Sequence, residues 1–160
     1  MNGLHRLSAW SDVTHGFLGK PTDYALGAQQ SESNRKEALR RLTRKASELA
    51  LVRQVHSSRV ELANGKDVNQ LAAIQADALI SNEVGRAVGV LTADCVPVLL
   101  YAEDTRWVGA VHAGRKGALA EIVPKTIAAL ESFGAARSAL RVGIGPYIHA
   151  ASYEVGESMY

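Results

Sequence analysis

One cysteine and two histidines carry most of the chemistry that this sequence offers. Cys95 follows Thr92, Ala93 and Asp94; His112 precedes Ala113 and Gly114; His56 follows Gln54 and Val55. Each sits at the end of an expected strand. Cys95 and His112 flank a hairpin whose register can be worked out. Glu103, Asp104, Thr105 and Arg106 form a polar four-residue turn, which sets Ala102 opposite Trp107. Counting back from the turn places Pro97 opposite His112 and Cys95 opposite Gly114. Side chains alternate with period two, so Cys95 and Pro97 share a face, and His112 shares it through its pairing with Pro97. Cys95 and His112 are therefore diagonal neighbours near the open end of the hairpin, and a slip of one residue would separate them.

A thiol and an imidazole that close have three readings. They are a Cys–His nucleophile pair, two ligands of a zinc ion, or a buried cysteine beside an inert histidine. His56 adds a third ligand type at a strand end, where sites of α/β architectures gather. One Cys and two His leave a fourth position for water or substrate, which is the pattern of catalytic rather than structural zinc. Zinc in such a site lowers the pKa of its water towards about 7. The spacing matches no local metal motif such as CxxC. Asp94, beside Cys95, is a candidate to orient a ligand or act as general acid or base, or else a turn carboxylate capping backbone amides.

The elements that must hold these residues follow from periodicity. Residues 13–18 read as a strand and 19–33 as a long polar loop. Residues 34–50 read as a helix: Leu39, Leu42, Ala46 and Leu49 share a face, Asn34 and Glu37 resemble a capping box, and Glu37 can pair with Arg41. The opposite face, with Arg40, Arg41, Arg44 and Lys45, reads as a solvated surface. Strands are expected over 51–55, 59–63, 76–81, 87–92, 97–101, 107–112 and 140–144. Residues 117–132 read as an amphipathic helix with Leu119, Ile122, Val123, Ile127 and Leu130 inward. Pro124 demands a kink or a late start, and Gly134 serves as the C-cap. Strands in runs with helices between them suggest α+β or mixed α/β packing.

Composition narrows the class. A chain of 160 residues with 47% apolar and 21% charged residues is an ordinary globular domain, not a disordered or collagen-like one. A domain of that size buries about 68–70% of its unfolded surface and needs no disulfides. A net charge of +2 and 6% aromatic residues give no footprint for nucleic acid, either as a basic patch or as a stacking platform. No run reaches the roughly 18 apolar residues of a membrane span, and the N-terminus has no signal-peptide core. A single cysteine forms no internal disulfide, so a reducing cytoplasm is the expected compartment.

The motifs QVH (54–56), ADALIS (76–81), TADCVPVLLY (92–101), AVHAG (110–114), GIGPYI (143–148) and YEVG (153–156) stand in an order, with HGF (15–17) and SNR (33–35) before them, that resembles the YfiH-type laccase-domain, or polyphenol oxidase, family. The resemblance covers essentially the whole chain. It implies an α+β fold with mixed β-sheets packed together and helices outside, in α/β/β/α layers, as a single domain over 1–160. It implies zinc held by His56, Cys95 and His112, with copper as a substitute. It also implies phosphorolysis of adenosine, inosine and methylthioadenosine, and hydrolytic deamination of adenosine.

Around that centre, Asn34 and Arg35 are candidates to reach substrate or phosphate from a helix N-terminus. Asn34 also reads more simply as the N-cap. Arg53, Arg115 and Lys116 are candidate phosphate ligands. Gly114 offers backbone amides to an anion, or makes a tight strand-to-helix turn. Gly145, Pro146 and Tyr147 are candidates to line a purine pocket. Tyr153 and Glu154 read as structural, and His5, His15 and His149 have no ligand spacing.

Several positions depart from the family. Where members usually read HAGWRG, this chain has Arg115, Lys116 and Gly117 after HAG, and lysine lacks the planar fork that grips phosphate bidentately. Residues 19–21 are shorter and less glycine-rich than the family loop, and Tyr147 replaces a cysteine. Members continue past YEVG, so this chain is expected to be C-terminally incomplete relative to the family. Its remainder is then truncated, supplied by a partner, or absent with a loss of activity. The alternative to a nucleoside enzyme is therefore a catalytically impaired or partner-dependent metal-binding member. Self-association would cover a sheet edge left open. A multicopper oxidase ranks lower, because five histidines, two of them in ligand positions, cannot furnish several copper centres.

Overall fold

The hairpin that turns at residues 103–106 contributes two inner strands to the main sheet. The computed structural model describes residues 4–5, 10, 12–19, 31–43, 45–154 and 156. In chain order the elements are β1 (Leu4–His5), β2 (Phe17–Leu18), α1 (Ser31–Leu42), β3 (Glu48–Ala50), β4 (Val60–Leu62), α2 (Val68–Ala73), β5 (Ala78–Ser81), β6 (Arg86–Val88), β7 (Val96–Ala102), β8 (Val108–Ala113), α3 (Arg115–Leu119), α4 (Ile122–Ser132) and β9 (Leu140–Ile144). Five strands form one sheet in the order β4-β5-β8-β7-β9, and β3 pairs with β6 in a smaller one. The large sheet is mixed: β4 and β5 run parallel, and the other pairings are antiparallel.

The hairpin register is the one that the turn demands. Pro97 pairs with His112 and Val98 with Val111, and the Ala102 amide donates to the Trp107 carbonyl at 2.8 Å. β5 explains how the layers stack. All four of its residues are buried, which a strand with both faces covered requires. Ala78 and Ile80 join Val98, Leu100, Val111, Ile122 and Leu130 in a core between the large sheet and α4. Leu79 points the other way, into a second core with Ala50, Val52, Leu71 and Ala76 beneath β3 and α2. Helices thus flank packed mixed sheets, an α+β fold. Trp107 and Phe133 stack at 4.5 Å and fasten the end of α4 to the sheet.

Several expectations need correction. The helix expected over 34–50 runs from Ser31 to Leu42, and Glu48–Ala50 is a strand paired with β6. Pairing with a distant strand overrides a helical period that continues only by chance into Ala46 and Leu49. Asn34 lies inside α1 rather than capping it, and Glu37 pairs with Arg40 at 2.8 Å, three residues on. Residues 51–55 make only an isolated bridge, Arg53 to Gln75. In 13–18 only Phe17–Leu18 is strand, and residues 20–30 of the expected loop lie outside the described residues.

The helix expected over 117–132 is two helices, with α4 starting late. Glu121 takes a left-handed φ of 61° at its N-cap, and Pro124 falls in the first turn, where a missing N–H costs nothing. Leu119, expected inward, is 74% exposed at the end of α3. α2 was not expected; Asp67 and Gln70 close a capping box at its start. Among the described residues, no helix is long and apolar enough to cross a membrane.

Candidate metal centre

β7, β8 and the turn before β4 converge at one end of the large sheet, where they bring together His56, Cys95 and His112. One ligand atom from each lies within 4.8 Å of the others. The Cys95 Sγ is 3.9 Å from His56 Nε2, close to the roughly 3.6 Å that a tetrahedral ion sets between thiolate and imidazole ligands. Exposure falls across the cluster: His56 is exposed, Cys95 half-buried and His112 buried. An ion held there would have a dry side against the sheet and an open side towards solvent. The two imidazoles meet edge to face at 4.8 Å.

Gly114 makes the room. A Cβ there would stand 2.7 Å from His56 Cδ2, 3.3 Å from Cys95 Sγ and 3.5 Å from His112 Cε1. It would therefore fill the space between the three side chains. The Gly114 backbone is extended, with φ −71° and ψ 164°, so the glycine answers to space and not to backbone strain.

Asp77 was not among the expected site residues. It is fully buried immediately before β5, opposite His112 across the sheet. Its Oδ1 accepts from His112 Nδ1 at 2.8 Å and from the His56 amide at 3.0 Å. Its Oδ2 accepts from the Val55 amide at 3.2 Å, the Ser57 amide at 2.7 Å and the Ser57 hydroxyl at 2.7 Å. Burial works to raise the Asp77 carboxyl, but the hydrogen bonds from His112, the Ser57 hydroxyl and the amides of Ser57 and Val55 outweigh it and hold the group below its ordinary range. The turn that Asp77 grips includes His56 at a φ of 58°, a left-handed conformation costly for a side-chain-bearing residue. The Asp77–His112 pairing joins β5 to β8 with no short turn to set its register, so the sequence gives little sign of it beyond an acidic residue between two alanines.

Gln54 ties the same turn to the cysteine. Its Nε2 donates to the Leu91 carbonyl at 2.7 Å, and its Oε1 accepts from the Leu91 amide at 2.8 Å, four residues before Cys95. The Cys95 thiol is pushed up by burial, then by the charges of Asp94 and Asp77. A nucleophilic cysteine needs the opposite environment. A metal ligand does not, because a bound cation removes the thiol proton itself. An inert buried cysteine shows the same rise; the metal reading stands on the donor set and on the space at Gly114, which fit a metal ion.

The remaining expected residues fall around this cluster to different degrees. Asp94 is exposed, and its carbonyl accepts from the Ile148 amide at 3.0 Å, which brings the segment of Tyr147 alongside the Cys95 loop. Tyr147 is 48% exposed and stacks on His149. Arg115 and Lys116 open α3 directly after Gly114, both exposed. Arg53 is exposed three residues before His56. Asn34 and Arg35 lie in α1, which packs on β3. His15 is buried against Trp10, its Nδ1 2.9 Å from the Val13 carbonyl. A cavity of about 420 Å³, reached by Trp10, His15, Tyr101 and Arg106, is lined by none of the three cluster residues.

Comparison with known proteins follows the same lines. Residues 27–160 match the family described as multi-copper polyphenol oxidoreductase laccase. A purine nucleoside phosphorylase of Corynebacterium glutamicum is 43% identical over 106 residues, covering 66% of this chain and 43% of the relative. One from Streptomyces griseus is 35% identical over 127 residues, covering 79% and 52%. Among solved structures, Bacillus licheniformis YfiH superposes with a TM-score of 0.69 at 26% identity, covering 81% of this chain and 52% of that one. A Neisseria meningitidis protein of the DUF152 family gives 0.65 at 29%, covering 80% and 49%. The chain spans about half the length of the curated relatives that it matches.

Proposed function

Because this chain belongs to the laccase-domain family matched over residues 27–160, we propose that it is a zinc enzyme acting on purine nucleosides, with His56, Cys95 and His112 as the zinc ligands. The observation that carries this reading is the convergence of one thiol and two imidazoles within 4.8 Å, open on the His56 side. The names of the relatives supply the substrate class, a purine nucleoside with phosphate. A bound zinc ion supplies a Lewis acid at the reacting centre.

The chain's own residues do the rest in this proposal. His112 presents Nε2 because Asp77 occupies Nδ1. Asp94, exposed beside Cys95, is the proposed general acid or base. Lys116, four residues after His112, and Arg53, three before His56, are the proposed sources of positive charge for phosphate, and Gly114 leaves space for the anion to approach. Tyr147, on the segment bonded to the Asp94 carbonyl, is the proposed face for the purine. Asn34 and Arg35 complete the substrate set on the strength of the family motif.

A second reading is that the chain holds its metal but turns nucleosides over poorly or only with a partner. Two observations favour it. Edge strand β9 carries Val142 and Ile144 at 50% and 60% exposure, an apolar strip that ends three residues before Tyr147. By the resemblance drawn from the sequence, Lys116 also stands where family members usually read arginine. One experiment separates the two readings. The zinc-loaded protein is incubated with adenosine, inosine or methylthioadenosine, with and without phosphate, and free base and ammonia are measured beside a Cys95→Ala control. Phosphate-dependent release of base that the variant loses is expected for the enzyme. Stoichiometric zinc without turnover decides for the second reading, and no bound zinc overturns both.

A further inference from the structure

Two histidine ligands twenty or more residues from Asp77 in sequence are held by its one buried carboxylate, and the five hydrogen bonds divide unequally in kind. Four fix backbone and hydroxyl groups of the turn that carries His56. The fifth fixes the ring of His112. All five partners are donors to an acceptor-only group, so the His112 proton sits on Nδ1 and the lone pair on Nε2 faces the cluster. The same carboxylate offsets the cost of the left-handed turn at His56, since three consecutive amides converge on it. We propose that Asp77 is the positioning residue of the metal centre, presetting both histidines, the tautomer of one and the backbone of the other, before an ion arrives. This inference rests on the metal reading of the cluster.

Isosteric replacement makes the idea testable. In Asp77→Asn one acceptor becomes an NH2 donor that must face donors on either side. If it replaces Oδ1, it confronts His112 Nδ1–H and drives the ring proton to Nε2, the ligand atom. If it replaces Oδ2, it confronts the Ser57 and Val55 amides and releases the His56 turn. Either choice removes one histidine from the preset arrangement. Loss of such outer partners typically costs 10–100-fold in metal affinity.

The experiment has two readouts. The tautomer of His112 in metal-free wild type is read from two-bond proton–nitrogen correlations, with its signals assigned by their loss in His112→Asn. Zinc affinity of wild type and Asp77→Asn is read by competition with a chromophoric chelator. The expected result is an Nδ1–H tautomer in wild type, and a 10–100-fold loss of zinc affinity in a variant that remains folded. An Nε2–H tautomer in wild type overturns the proposal, and so does a variant whose affinity stays within twofold. If Asp77→Asn does not fold, Ser57→Ala takes its place. That variant removes the hydroxyl's bond to Asp77 and the 3.2 Å bond that the hydroxyl accepts from the Arg59 amide; affinity about fivefold lower is expected, and unchanged affinity overturns the proposal. If wild type binds no zinc, the metal reading fails by itself, and the tautomer still decides what Asp77 does.

Discussion

At the scale of single residues, the centre is defined as much by what is missing at position 114 as by the side chains around it. His56 is exposed, so an added methyl at 2.7 Å from its Cδ2 would be relieved by rotating the imidazole into solvent, away from Cys95 and His112. The backbone at Gly114 suits any residue, so the fold has no reason to suffer. Gly114→Ala is therefore expected to lower metal affinity at least tenfold, while the stability of the metal-free protein stays within about 1 kcal/mol of wild type. Cobalt titration followed by the thiolate-to-metal absorption band, with urea unfolding alongside, checks both halves. Loss of the fold would show that the glycine serves the strand-to-helix turn instead. Gly114 and the three ligand types are visible in the sequence because each lies in a short local pattern. Asp77 is hidden because its meaning depends on β5 meeting β8, a pairing that no short turn announces.

At the scale of elements, legibility follows the distance over which a contact acts. The hairpin of β7 and β8 was readable to the residue because a four-residue turn fixes its register, and Pro97 does face His112. The helical spacing that runs through residues 46–50 is local, while the partner of Glu48–Ala50, β6, lies almost forty residues away and prevails. The stretch 51–57 is neither helix nor strand; the Arg53 backbone bonds to Ile74 and Ala76, and side chains hold the rest. Gln54 binds both the amide and the carbonyl of Leu91, and so sets the His56 segment against the one that ends at Cys95. Gln54→Ala leaves both half-buried backbone groups without these partners. It is expected to destabilise the protein by about 1–3 kcal/mol and to weaken metal binding by separating His56 from Cys95. Unfolding in urea and a zinc competition titration measure the two effects. A stability loss with unchanged zinc affinity would mean that the Cys95 loop is held by other contacts.

At the scale of the whole molecule, acid stability reports on charges that the fold takes inside. Glu61 sits on edge strand β4 with only 9% of its surface exposed, between Arg59 at 2.9 Å and Lys66 at 2.9 Å. An inward charge on an edge strand also guards the edge against pairing with another chain. Burial works to raise the Glu61 carboxyl, but hydrogen bonds and charge from Lys66 and Arg59 prevail and hold it below the ordinary glutamate range. The sign follows from linkage. A carboxyl lowered in the folded state binds its proton more readily in the unfolded chain, so its contribution is complete above about pH 4.3. It is lost as pH falls through the lowered folded value. Arg59 is 59% exposed and Lys66 36%, which screens the pairs, so Glu61→Gln is expected to cost about 1 kcal/mol at pH 7. The gap between variant and wild type should narrow as the pH is taken below 4. Urea unfolding of both proteins at pH 7, 5 and 3.5 measures it. A gap that stays constant down to pH 3.5 would show that Glu61 acts through its shape and hydrogen bonds, with its charge contributing nothing to the fold.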